Sequence, residues 1–386
     1  MTNQPIEKIY KICQKDAVKW TRDLVRINSV NPPGDELATA RYCEAILRDL
    51  GMEAEFDEFE PNRVNVVAYA GNRNDIGIVF YGHLDVVPVS GKWTHDPFSA
   101  DLVDGNIWGR GSADMKSGCA AIMAAVKAAL MMEMPLKKGI CVVLVADEEY
   151  FNKGCNRLKE TTRLKADACV VAEPTQLQVH YGNRGYTSFY IRTYGEACHA
   201  SNPQAGKNAI YSMARVVMKL EDFADELAMR KNSQLGCMSL SVGTIRGGIN
   251  LNTVPAFCEI EVESRVFPGT NACAIQKELQ ALIGDTAEVI VRSNLLASLV
   301  PIDSEIVRIA SASVSAVTGS EAVVTQFPAC SEASYFSVGY NIPTILLGPG
   351  DISLAHKIDE RVPICQIEGA VDIYVSMLRY YAMGQK

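Results

Sequence analysis

Four short, almost uninterrupted apolar runs, at residues 64–70, 76–81, 140–146 and 168–172, constrain this chain more than any other feature. They are too short for independent helices and too apolar for strands with one face in water. Spaced by helical patterns, they read as strands of a largely parallel sheet covered by helices on both faces, an α/β fold. Helices are expected at 7–26, 36–50 and 117–133, the second with Asp35 as its N-cap and Gly51 as its stop.

From residue 187 the pattern changes to strands with one polar face. Strand 187–195, helix 206–224, strands 238–246 and 256–266, helix 271–284 and strand 287–292 follow in turn. That is the split β-α-β-β-α-β order of a ferredoxin-like α+β motif. The first style then resumes, with helix 303–318, strand 322–327, helix 332–338, strand 343–347 and helix 366–382. A length of 386 residues exceeds what one core commonly serves. The expected organisation is one domain in two segments, 1–182 and 295–386, interrupted by an inserted domain at 183–294.

A net charge of −8 argues against nucleic acid as a partner, although local arginines can still hold a small anion. Charges at Glu7, Lys8, Lys11, Lys15, Asp16 and Lys19 leave no room for a signal peptide's apolar stretch, and no run reaches bilayer length, so no membrane is expected. The 12 cysteines form no C-x-x-C pair, and Cys119, Cys141 and Cys169 sit inside apolar stretches. Buried free thiols in a reducing cytoplasm account for them best.

In open parallel sheets, ligands bind at the carboxyl ends of strands. Here run 76–81 leads into Gly82-His83-Leu84-Asp85 and run 140–146 into Asp147-Glu148-Glu149. Run 168–172 leads into Glu173-Pro174, and strand 343–347 continues through Gly348-Pro349-Gly350 to Ala355-His356-Lys357. Histidines and carboxylates without cysteine suit zinc or a related divalent ion. Each piece has an ordinary alternative: H-x-D as a surface turn, Glu148-Glu149 as a solvated acidic turn, Glu173 as nothing special. Against these stands the fact that two of only 5 histidines fall at separate strand ends. Two residues apart, one of His83 and Asp85 can bind metal while the other completes a carboxylate–histidine pair. One carboxylate of Glu148-Glu149 can likewise coordinate while its neighbour serves as general base. The stretch Gly109–Gly118 invites a phosphate-loop reading, but Met115 stands where that spacing needs glycine. Asp114 in this turn fits a metal-bridging carboxylate better. His95 and His180 match no ligand position and read as solvent-exposed or structurally bonded.

Together GHLDVVP (82–88), GRGSADMKSG (109–118), DEE (147–149), AEP (172–174) and AHKIDE (355–360) resemble, in order, the motifs of one family of dinuclear zinc hydrolases. It contains acetylornithine deacetylase, succinyl-diaminopimelate desuccinylase, aminoacylase and carboxypeptidase G, and the resemblance covers essentially the whole chain. It implies a zinc-exopeptidase-like catalytic domain holding two zinc ions, with cobalt or manganese as substitutes. Asp114 would bridge them, His83 and Glu173 completing one site and Glu149 and His356 the other. Asp85 would orient His83, and Glu148 would be the general base and acid.

The resemblance also implies a homodimer formed through the inserted domain, with His199 reaching across it to the oxyanion. Asn252, Arg184 and Arg265 are similar to substrate-binding residues, the arginines suiting a carboxylate. From residue types alone, His199 could equally cap its loop and Arg265 be an exposed strand arginine. Ser331-Glu332-Ala333 with GPGDI resembles the acetylornithine deacetylase branch, Ser331 bonding the substrate and Glu332 meeting a cationic side chain such as ornithine's. The implied activity is removal of an N-acyl group from a small amino acid. Desuccinylase, aminoacylase or dipeptidase action on the same scaffold stays open. A non-catalytic metal-dependent binding protein is the distant alternative, disfavoured by the intact ligand set with Glu148.

Overall fold

The structure, a computed structural model, describes residues 6–133 and 135–385. It divides into two compact units. One comprises the described residues up to Gly182, Leu299–Phe327 and the chain from Glu332 onward; the other comprises Asn183–Ser298 and Pro328–Ser331.

The larger unit is built on a mixed sheet. Its strands run in the order Glu53–Glu60, Arg63–Ala70, Gly139–Val145, Ile76–His83, Ala166–Val171, Thr344–Leu346, Val179–Asn183 and Ser298–Leu299, with Val324–Phe327 also paired to Val179–Asn183. The four strands from Gly139–Val145 to Thr344–Leu346 are parallel to one another. The first apolar run departs from expectation, because Arg63–Ala70 is antiparallel to both neighbours. Its partner Glu53–Glu60 went unforeseen: its acidic alternation reads as solvated surface, which suits an edge strand with exposed positions.

Both faces of the central strands are covered, as their unbroken apolarity requires. Along the buried strand Ile76–His83, Ile78 and Phe80 join a core with helices Ile6–Arg26, Ser117–Met131, Glu305–Thr318 and Ile364–Tyr381. Phe80 packs 5.1 Å from Tyr374, ring to ring, and truncating such a side chain costs about 3–5 kcal/mol. Tyr81 points the other way, onto Phe336 in the helical turn Tyr335–Gly339. With residues 333 and 334 it makes a helical stretch over 333–339, the helix expected at 332–338 shifted by one residue. Among the described residues, no helix is long and apolar enough to cross a membrane.

Asp35 does not cap the second helix. Leu37–Asp49 begins one residue later than expected, and Glu36 occupies the cap position without a side-chain cap bond. The Glu36 carboxylate turns inward instead, to Arg63 Nε at 2.8 Å.

In the second unit an antiparallel sheet runs Ser239–Gly247, Phe257–Val266, Gly185–Tyr194, Glu288–Leu295. Helices Ala209–Met229 and Ala272–Ile283 supply the rest of its core, meeting the inward set Cys258, Ile260, Val262 and Val266. Alternate residues Glu259, Glu261, Glu263 and Arg265 lie on the polar face, the period-two pattern of a half-buried sheet.

Candidate metal centre

His83 ends the strand Ile76–His83 and is buried. Its Nδ1 lies 3.0 Å from the backbone carbonyl of Asp85, an acceptor only, so Nδ1 carries the proton and Nε2 is left to ligate. That Nε2 faces Asp114 Oδ1 at 3.1 Å. The second Asp114 oxygen faces His356 Nε2 at 3.3 Å, and His356 Nε2 also lies 3.0 Å from Glu149 Oε2. The ligand atoms of His83, Asp114 and Glu149 fall within 4.8 Å of one another. Asp114 thus stands between two imidazoles, one oxygen to each.

Local sequence explains each placement. The Asp114 turn is braced by Glu360, whose Oε1 accepts the backbone N–H groups of Ala113 and Asp114 at 2.9 and 3.1 Å. Glu360 Oε2 is paired with the buried Arg110 at 2.5 Å. Glu173 follows its strand into a loop pressed from two sides. A Cβ on Gly118 would meet Ala172 O at 2.4 Å, and one on Gly348 would meet Glu173 O at 2.6 Å, so only glycine fits at either place.

Asp85 serves further neighbours besides the one expected. Its Oδ1 is 3.6 Å from His83 Nδ1, an ion-pair distance longer than a hydrogen bond. Oδ1 also accepts the N–H of Glu148 and Oδ2 that of Glu149, both at 3.1 Å. Asp85 therefore fixes the turn that carries both glutamates.

The electrostatics favour a cation. Burial, with Asp114 and other acids nearby, pushes Glu148 up to about 8, Glu149 up to about 7 and Glu173 well above the usual carboxylate range. The Asp114 and Glu149 carboxylates lift His356 to about 10. Burial alone would lower His83, but Asp114 and Asp85 outweigh it and hold it well above its ordinary value. Asp114 is held low by the two imidazoles despite its burial. Buried acids with two imidazoles and no sulfur are a donor set that divalent cations of the zinc, cobalt and manganese kind fit.

The remaining expected residues divide in two. In the second unit, His199 is exposed and its Nδ1 lies 2.7 Å from Ser201 Oγ, the loop-capping bond that residue type alone allowed. Asn252 is exposed, its carbonyl accepting from Ala200 N. Arg265 stacks over Tyr186 and reaches Cys330 Sγ, while Arg184 donates to the Cys237 carbonyl. Two expected substrate contacts are enclosed. Ser331 is wholly buried with Oγ 3.3 Å from Asn183 Oδ1, and Glu332 is wholly buried with Tyr81 and Asn152 as partners. Burial pushes the Glu332 carboxyl well above its ordinary value. His180 is likewise neither exposed nor bonded: it is 5% exposed, and neither ring nitrogen has a hydrogen-bond partner among the described residues.

Residues 79–380 match the family described as peptidase family M20/M25/M40. The chain belongs to that family. It is a metallohydrolase acting on amide bonds. The acetylornithine deacetylase of Aliivibrio salmonicida is 29% identical over 353 residues, 88% of this chain and 89% of the relative. That of Salmonella arizonae is 29% identical over 347 residues, 86% and 88%. An M20 family metallo-carboxypeptidase from Sulfolobus solfataricus superposes with a TM-score of 0.81 at 18% identity, covering 95% of this chain and 99% of that one. A dinuclear metal-binding peptidase of the family from Bacillus subtilis gives 0.71 at 15%, covering 95% and 97%. At such identities the likeness is one of fold. Beneath the site lie polar residues given no role from the sequence: Glu360 and Asp147, although inside AHKIDE and DEE, and Asn31 and Arg63, outside every motif.

Proposed function

We propose that this M20 enzyme removes the N-acyl group of a small amino acid, with N-acetylornithine as lead substrate. The observation that carries the reading is Asp114, one oxygen toward His83 and the other toward His356, beside the carboxylate of Glu149. His83, Asp114 and Glu173 would hold one zinc ion, and Asp114, Glu149 and His356 a second, with cobalt or manganese as substitutes. Bound there, the ions supply Lewis-acid polarisation of the scissile carbonyl and of the attacking water.

Glu148 then removes the proton of that water and passes it to the leaving amine. Its pKa, raised by burial, suits a group that must both take and give a proton near neutrality. His199 donates to the oxyanion, and Arg265 and Asn252 contact the substrate carboxylate end. The relatives named acetylornithine deacetylase, alike over most of both chains, support the choice of acyl amino acid.

We also infer a homodimer through the inserted unit. Edge strand Ser239–Gly247 and nearby chain expose Tyr211, Met218, Ile245, Ile249 and Leu251, an apolar set that a second copy would cover. The buried thiols of Cys119, Cys141 and Cys169 agree with a cytoplasmic enzyme.

A panel of N-acetyl and N-succinyl amino acids and dipeptides, assayed with added zinc or cobalt, tests the substrate. N-acetylornithine should show the highest kcat/KM, and failure to cleave any acyl amino acid would reject the reading. For the shared histidine, inactive Glu148→Ala and impaired His199→Ala chains should regain activity when mixed. No recovery in a preparation that sediments as a dimer counts against it.

A further inference from the structure

Behind the Glu148-Glu149 turn lies a buried polar cluster with no place in the reading so far. One amide nitrogen, Asn31 Nδ2, lies 2.8 Å from Asp85 Oδ2 and 2.8 Å from Asp147 Oδ1. Both carboxylates grip the same turn: Asp85 accepts Glu148 N and Glu149 N, and Asp147 Oδ2 accepts Lys153 N at 3.1 Å. Asp147 Oδ1 also takes Arg63 Nη2 at 2.6 Å, and Arg63 is held in turn by Glu36. All five side chains are nearly or wholly buried: Asn31 2%, Glu36 0%, Arg63 6%, Asp85 0% and Asp147 0% exposed.

Two buried carboxylates repel one another unless a donor lies between them. The carboxamide of asparagine has two N–H bonds, one for each. The chain is shaped to deliver it. Asn31 N donates to Val86 O and Val86 N to Ser29 O, so this segment is stitched alongside the residues just past His83. Gly34, at φ 84°, leaves the space that Arg63 fills: a Cβ there would lie 2.3 Å from Arg63 Nη1.

We propose that Asn31 is a positioning residue of the metal centre, bridging Asp85 and Asp147 so that the turn between residues 147 and 153 holds Glu148 and Glu149 in register with Asp114. It touches neither substrate nor any proposed metal ligand side chain; it acts through two carboxylates. The inference rests on the proposed roles of Glu148 and Glu149. Outer partners of metal ligands typically govern 10–100-fold in affinity or activity.

Asn31→Ala and Asn31→Ser, as full chains, are titrated with zinc by calorimetry, melted without zinc, and assayed on the acyl amino acid panel. Expected for Asn31→Ala is zinc affinity down about 10–100-fold and kcat down on the same order, with KM little changed. Asn31→Ser, with one O–H donor for two acceptors, should fall between it and the wild type. The zinc-free melting midpoint should stay within a few degrees of wild type for at least the serine variant. Wild-type zinc affinity in a folded variant overturns the proposal. So does a collapse of the zinc-free midpoint in both variants, which makes Asn31 a fold-stability residue. If the wild-type enzyme cleaves no acyl amino acid, the substrate reading fails by itself and the zinc titration alone decides on Asn31.

Discussion

His356 Nε2 lies 3.0 Å from Glu149 Oε2, although the two residues are far apart in sequence and on different loops. Without a cation this is an ion pair, the imidazole lifted to about 10 by Asp114 and Glu149. With one, the proposed role makes the same atoms ligands. Zinc should therefore raise the melting midpoint by mass action, each bound ion adding about 2.7 kcal/mol of stability at a hundredfold excess over its Kd. Chelator should remove both that gain and the hydrolysis, and readded zinc should restore them. Calorimetric melts with and without chelator check it; hydrolysis that persists in a chelated, metal-free sample refutes the metal reading.

Glu148→Gln keeps the shape of the base and deletes its proton transfer. General-base losses run to about 10²–10⁴-fold, so kcat should fall by that order while metal content by atomic emission stays at the wild-type level. Because the backbone N–H of Glu148 still meets Asp85, the turn should not shift. Equal turnover in the variant would remove Glu148 from its role.

Buried His180 gives the fold a pH dependence of known sign. With no hydrogen-bond partner for its ring nitrogens among the described residues, and the Phe327 ring 5.6 Å away between centroids, it is pushed by burial to about 4. Between about 4 and its ordinary 6.5 the unfolded chain binds the proton that the folded chain refuses, so stability is full above 6.5 and is lost as pH falls toward 4. His180→Leu should flatten that fall, by up to ~3 kcal/mol. Melting midpoints of both proteins across this window measure the difference; parallel curves would show that His180 carries no such term.

The strands that hold the ligands were legible because their ends join an apolar run to a charged residue within one or two positions, as at Gly82-His83 and Ala172-Glu173. Asp114 and His356 lie away from any strand end, one in a glycine-rich turn and the other beyond the GPGDI loop, and the motif resemblance is what points to them. What was not legible is the layer beneath. The sequence pairs Asp85 with His83, its neighbour, and gives no sign that its oxygens also serve the N–H groups of Glu148 and Glu149 across the sheet. No local period reveals a pairing of that range, and Asn31 with Arg63 is hidden for the same reason. The strand Glu53–Glu60 was missed because an acidic edge strand and a solvated loop share one composition. Nor does the sequence show that Glu332, expected to meet a substrate cation, is enclosed by Tyr81 and Asn152.

That enclosure separates two accounts of Glu332 experimentally. A carboxyl kept neutral by burial loses little when replaced by the isosteric amide, whose N–H and C=O can still meet the Tyr81 hydroxyl and the Asn152 amide. Glu332→Gln should thus change stability by less than about 1 kcal/mol, whereas Glu332→Ala strands two buried partners and opens a cavity, at a cost of about 2–4 kcal/mol. If Glu332 instead met a substrate ammonium, the amide variant would lose the charge that discriminates. The ratio of kcat/KM for N-acetylornithine to that for an uncharged N-acetyl amino acid reads this directly. It should be unchanged in Glu332→Gln, and a fall of tenfold or more, about 1.4 kcal/mol, would return Glu332 to the substrate pocket.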